Sequence, residues 1–269
     1  MASRNGTTEK SKITSTIIII IVVMGAFVGL LSWQNILLTY SNSDLLVELY
    51  MVKDTLDSYA MFPNAINRTL TNFEISQTGS AVNYAVSGTH DLWEAERGVY
   101  NYITSNIRYE NDIFMPYINK ISQNNVGITY IQNYVEKPGL TIQNGYGDCE
   151  DQAILAYAMI KYFERNIQGP ESDLYLANII FRDNDVHVCV IQPRIGGYAF
   201  ILDPAGKYLT PNFGDTNARN ALNELTAYSN YWIMHGGVSE ITLYRVINNE
   251  GDYIIIGKGT VSYIASLFI

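Results

Sequence analysis

The stretch Gly145-Tyr146-Gly147-Asp148-Cys149-Glu150-Asp151 is where a glycine-containing turn gives way to a helix. Asp148 is a good N-cap residue, and Asp151 three positions later completes a capping-box-like pattern. Beyond them Ile154, Leu155, Ala158, Met159 and Phe163 recur at three- and four-residue spacing, which predicts a helix to about residue 165. Cys149 therefore falls in a first helical turn. Unpaired N–H groups and the positive helix end favour a thiolate there, and the same N–H groups can take up charge developing on a carbonyl oxygen. The neighbouring acids Asp148, Glu150 and Asp151 act the other way and raise the thiol pKa wherever they approach the sulfur.

After Gly169-Pro170 the period changes from helical to two. Residues 174–181, 186–192 and 198–202 are rich in branched and aromatic side chains and read as strands, separated by Asp183-Asn184 and Arg194-Ile195-Gly196-Gly197. Alternation puts His187, Cys189 and Ile191 on one face and Val186, Val188 and Val190 on the other. A five-residue loop over 193–197 would set Gln192 opposite Tyr198 and, counting outward, His187 opposite Asp203. Opposed side chains have Cβ atoms about 4.5–5.5 Å apart, close enough for a carboxylate to orient an imidazole.

The remaining segments frame this region. A helix is predicted over 42–60, a polar stretch of loops or short strands over 63–89, and a second helix over 91–107 that runs into Tyr109-Glu110-Asn111-Asp112. A further helix is expected over 217–233, followed by strands at 241–247, 253–256 and 261–268. The sum is an α+β domain with an antiparallel sheet.

Cys149, His187 and Asp203, in that chain order, supply a nucleophile, a general base and an orienting acid. The order, with Cys at a helix start and the other two on neighbouring strands, resembles the transglutaminase-like superfamily, a relative of the papain-like fold. The resemblance covers residues 91–211: a helix ending in Asn106-Ile107-Arg108-Tyr109, the Gly147-Asp148-Cys149-Glu150-Asp151 helix start, His187, and Leu202-Asp203-Pro204. The Gly-Asp-Cys-Glu-Asp run is its most specific element and is similar to the archaeal and bacterial branch. The resemblance implies a thiol enzyme that forms an acyl-enzyme from a peptide or protein amide. Water as second nucleophile gives a peptidase or amidase, and a lysine amine gives a cross-linking transferase. It implies no metal and no organic cofactor. A catalytically silent binding or assembly module is the competing reading.

Other residues have plainer readings beside their functional ones. Gln143 is a candidate oxyanion donor. A Cys149–Cys189 disulfide would remove the nucleophile, and a calcium site at Asp148, Glu150 and Asp151 competes with ordinary first-turn acids, which suffice. His235 reads as a helix-end histidine and His90 as a loop residue.

Residues 13–33 are 21 uncharged positions that include an unbroken Ile/Val run over 17–23. About 20 apolar residues span a bilayer core, so an uncleaved anchor is expected, with a processed signal or a pilin-like filament segment as alternatives. Arg4, Lys10 and Lys12 place the tail 1–12 inside and the body outside the membrane. Residues 34–90 then form a stalk and linker, and 91–269 the folded domain. The whole chain carries −9; residues 1–33 hold +2, which leaves −11 for the body. So acidic a body lacks the basic face that phosphate contacts require, and nucleic acid is excluded as a partner.

Overall fold

The computed structural model describes residues 42–112, 114–122, 125–169, 171–211 and 219–269. The chain divides into two units, 1–51 and 52–269, and the site discussed below lies wholly in the second. The expected membrane span requires correction. Among the described residues no helix is long and apolar enough to cross a membrane, and residues 13–33 lie outside the described residues. The membrane partner, the single-pass topology and the outside placement of the body rested on that span and go with it.

The architecture is α+β. Helices α1 (Asn42–Ala60), α2 (Ile66–Thr69), α3 (Asn72–Ser76), α4 (Gly79–Val86) and α5 (Leu92–Asn106) come first. The short strand β1 (Arg108–Tyr109), the hairpin β2 (Phe114–Ser122) and β3 (Asn125–Gln132), helix α6 (Pro138–Asn144) and strand β4 (Tyr146–Gly147) lead into α7 (Cys149–Phe163). The main sheet follows: β5 (Tyr175–Phe181), β6 (Val186–Arg194), β7 (Tyr198–Asp203) and β8 (Tyr208–Leu209). Helix α8 (Ala221–Tyr231), strands β9 (Val238–Val246) and β10 (Tyr253–Gly259) and helix α9 (Val261–Ser266) complete the chain. The six strands lie in the order β10-β9-β5-β6-β7-β8 and every pairing is antiparallel.

Alternation along β6 and β7 divides the core in two. Val188, Val190, Phe200 and Leu202 face the helical layer that contains α5 and α7, and Cys189, Ile191, Ala199 and Ile201 face α8 and α9. With both faces covered, the central strands are buried almost throughout. Helix α7 is apolar around nearly its whole circumference rather than along one stripe, so it runs through the interior. Its Leu155, Met159 and Phe163 are fully enclosed, and truncation of such a residue to Ala costs about 2–5 kcal/mol.

Three stretches differ from the sequence expectation. Residues 63–89 form the short helices α2–α4 rather than loops or strands, because their Thr and Ser residues serve helix ends: Thr71 accepts from Glu74 N while Ile66, Leu70, Ile75 and Val82 point into the core. Residues 261–268 form α9 rather than a strand, with Thr260 capping it by accepting from Tyr263 N. The β2–β3 hairpin and α6 lie where the sequence predicts no element; among the described residues of the hairpin only Ile118 is buried, so it lacks the apolar face that marks a strand.

Candidate active site

The turn before Cys149 is held by backbone pairing. β1 runs parallel to β4, with Arg108 beside Tyr146 and Tyr109 beside Gly147, and Arg108 N donates to Gly145 O at 2.9 Å. Gly147 cannot carry a side chain, since a Cβ there would lie 2.7 Å from Asp151 Cβ. The expected capping box does not form. Asp148 occupies the N-cap position with extended backbone but makes no side-chain cap bond, and Asp151 Oδ1 accepts instead from Glu136 N at 2.6 Å. Gln152 does the local holding, donating from Nε2 to Gly147 O at 3.0 Å.

Cys149 is 7% exposed, and its thiol donates to Glu150 Oε2 at 3.0 Å. Burial pushes this thiol well above its usual range, and the Glu150 and Asp148 charges add to the rise. The backbone N–H of Val188, next in sequence to His187, faces the sulfur and pulls the other way. At rest the sulfur therefore keeps its proton. No hydrogen bond joins Cys149 to His187 among the described residues.

His187 and Asp203 do meet, with Nε2 and Oδ1 2.8 Å apart. They are not directly opposed. Arg194 pairs with Tyr198 and Val190 with Leu202, so the hairpin loop has three residues, 195–197, where five were expected; Gly196 and Gly197 at positive φ make the tight turn possible. The ladder ends at Val190–Leu202, and Asp203 reaches His187 from beyond its end. Asp203 is fully buried and has both oxygens engaged: Oδ1 also accepts from Gly206 N at 2.8 Å, and Oδ2 from the Tyr228 hydroxyl at 2.8 Å. Trp232 lies 4.9 Å from the imidazole, between ring centroids, and Phe181 stacks at 6.2 Å. With Nε2 engaged, Nδ1 is the nitrogen left for proton transfer.

The other candidates separate from this group. Cys189 is free, as is Cys149, and lies buried against the Tyr228 hydroxyl, so the two sulfurs form no disulfide. Gln143 is exposed. His235 ends a short 3-10 turn and pairs with Asp183 at 2.9 Å and Asp185 at 3.2 Å. His90 is exposed. Tyr228 and Trp232 carry no motif of their own and become visible only when the chain is folded, whereas Tyr109 closes the Asn106–Tyr109 segment of the resemblance without a role read for it there.

A cavity of about 330 Å³ opens beside the imidazole, lined by Tyr109, Phe181, His187 and Trp232 among others. On the Cys149 side the charge is strongly negative. Single oxygens of Asp112, Asp148 and Asp151 lie within 4.8 Å of one another, the spacing of oxygen ligands around a cation, and Asp148 with Cys149 and Glu150 makes an overlapping group. Burial, then mutual repulsion, pushes Asp148 up to about 10, and burial pushes Asp112 up to about 7 although Tyr134 N donates to it.

Residues 77–220 match the family described as DUF553, transglutaminase-like domain. That stretch is more than half the chain and contains Cys149, His187 and Asp203. The chain belongs to this transglutaminase-like domain family. No curated protein matches it in sequence. Among solved structures, the transglutaminase-like chain is similar to a candidate cysteine protease from Cytophaga hutchinsonii at 17% identity and a TM-score of 0.34. That match covers 51% of this chain and only 39% of the Cytophaga chain. LapG of Legionella pneumophila is similar at 17% identity and a TM-score of 0.35, over 57% of this chain and 83% of LapG; its calcium-bound form gives 17% and 0.29, over 56% and 82%.

Proposed function

We propose that this transglutaminase-like domain, residues 91–269, is a thiol acyl-transfer enzyme that opens amide bonds, with water as the acyl acceptor. The observation that supports this most is the buried His187–Asp203 pair at 2.8 Å, beside a backbone N–H that faces the Cys149 sulfur. In this reading His187 Nδ1 takes the thiol proton as sulfur attacks the carbonyl carbon. The C–S bond forms, the imidazolium protonates the departing amine, and water then releases the acyl group. Asp203 keeps the imidazole in one tautomer and stabilises its charged form. Hydrolysis is preferred to transfer because no acyl-acceptor site for an amine is evident among the described residues. In this reading the Gly147–Asp151 run is what supports placing the chain, within the superfamily, with the branch found in archaea and bacteria.

The resting thiol, turned toward Glu150, favours a second reading as a catalytically silent binding module. Iodoacetamide separates the two. Cys149 should be alkylated faster than Cys189, and His187→Ala should abolish the difference; equally slow labelling of both cysteines supports the silent module.

A further inference from the structure

We infer that Tyr109 is the side-chain donor to the oxyanion formed when Cys149 attacks, acting alongside the first-turn N–H groups of α7. The inference rests on the acyl-transfer reading above and extends it to a residue outside the Cys-His-Asp set.

Three observations converge on Tyr109. It is anchored to the nucleophile's own turn: its partner across the β1–β4 pairing is Gly147, two residues before Cys149, and Glu110 N donates to Gly147 O at 3.3 Å. Its position is therefore fixed to the Cys149 turn by backbone bonds rather than by a flexible loop. Next, Tyr109 and His187 line the same cavity, so the phenol and the imidazole that would serve the thiol open onto one space. Finally, the residue is half exposed and no hydrogen bond among the described residues engages its hydroxyl, which leaves the donor available to a substrate.

Charge supports the geometry. Burial raises the phenol pKa, and Cys149, Asp148 and Glu150 stand close enough to raise it further whenever they carry charge. The phenol thus stays protonated at any working pH. Gln143, the candidate donor named from sequence, lies on α6 and is not among the residues lining this cavity. The first-turn N–H groups have no partner within the helix and supply the second arm of the site. In the step itself sulfur bonds to the carbonyl carbon, the C=O π pair moves onto oxygen, and the Tyr109 O–H hydrogen-bonds that oxygen without giving up its proton. Collapse returns the pair and breaks the C–N bond as His187 protonates the amine.

The test compares two reactions of Cys149 in wild type and Tyr109→Phe. Alkylation by iodoacetamide displaces iodide at a saturated carbon and forms no oxyanion, whereas acylation by a p-nitrophenyl ester passes through one. The expected result is an alkylation rate within about twofold of wild type and an acylation rate lower by about 10²-fold, the loss typical of a single oxyanion donor. Acylation unchanged in the variant overturns the inference, and so does an equal loss of both reactions, which marks Tyr109 as structural. If wild-type Cys149 is neither alkylated faster than Cys189 nor acylated, the enzyme reading itself fails, and Tyr109's role with it.

Discussion

His187 and Asp203 touch at 2.8 Å although the strands that carry them are registered so that Asp203 falls two positions from direct opposition. A shift of two is the smallest slip that keeps both side chains on the same face, since the side-chain period of a strand is two. A shift of one would have sent Asp203 into the layer of Val188 and Val190. The contact therefore survives a loop shorter than expected. Replacing Asp203 with Asn keeps the shape but removes the charge that favours the imidazolium and invites the wrong tautomer, so turnover of an amide substrate should fall by about 10²- to 10⁴-fold. Steady-state kcat for Asp203→Asn checks this, and a value within tenfold of wild type would remove Asp203 from the mechanism.

Tyr228 holds the second oxygen of Asp203 from α8. Tyr228→Phe leaves a buried carboxylate oxygen short of a donor, a loss of about 1–3 kcal/mol of stability. Chemical denaturation should register that loss, and kcat should fall by less than in Asp203→Asn, because the His187 contact through Oδ1 remains.

Much of this arrangement was legible in the sequence, and the parts that were not share a physical cause. The α7 start, the strand alternation around His187 and the α+β class all follow from local pattern. The three-residue loop did not, because Arg194 and Pro193 read equally well as loop or strand until the pairing with Ala199 and Tyr198 decides. Asp151 looked like a cap, but Glu136 N, distant in sequence, claims its oxygen. Asp112 could not be seen to join Asp148 and Asp151, since only folding brings a residue 36 positions upstream of Asp148 to the same spot.

The pH at which Cys149 becomes reactive should move when Glu150 is neutralised. Burial is the largest cause of the raised thiol, followed by the Glu150 charge. Glu150→Gln removes the second cause, so the midpoint of the alkylation-rate profile should shift to lower pH, with the rate at pH 7 rising. An unmoved midpoint means the Glu150 carboxylate is screened from the sulfur in solution.

The carboxylates around the helix start make stability depend on pH. Asp148 is pushed up to about 10 in the folded chain, while an unfolded Asp titrates near 4. The folded state thus retains a proton that the unfolded chain gives up. The contribution is fully present below about pH 4 and is lost as pH rises toward 10. Asp148→Asn, which cannot ionise, should melt at a higher temperature than wild type at pH 8 and at nearly the same temperature at pH 4. Calorimetry at the two pH values tests the sign; a variant less stable at pH 8 would show that the charged form is compensated.

Arg194 ends β6 and ties the sheet to the helical layer. Its Nη2 meets both oxygens of Glu96, at 2.7 and 2.8 Å, and its guanidinium lies 3.9 Å from the Trp93 ring centroid. Glu96 is fully buried, and burial pushes it up to about 8 even though the Arg194 charge lowers it. The pair is thus costly to bury and more costly to break. Arg194→Met leaves Glu96 enclosed without its cation and should lose about 3–5 kcal/mol, while Arg194→Met with Glu96→Leu removes both polar groups and should recover most of the loss. Because Glu96 sits at about 8 with its cation and higher still without it, the deficit of the single variant should be level from pH 5 to neutral, where both proteins hold the carboxyl protonated, and grow as pH rises through 8. Urea melts of both variants at pH 6 and pH 9 measure each part of this. A single variant whose deficit is the same at both pH values would mean that the loss comes from the Trp93 contact and the hairpin end rather than from a stranded carboxylate.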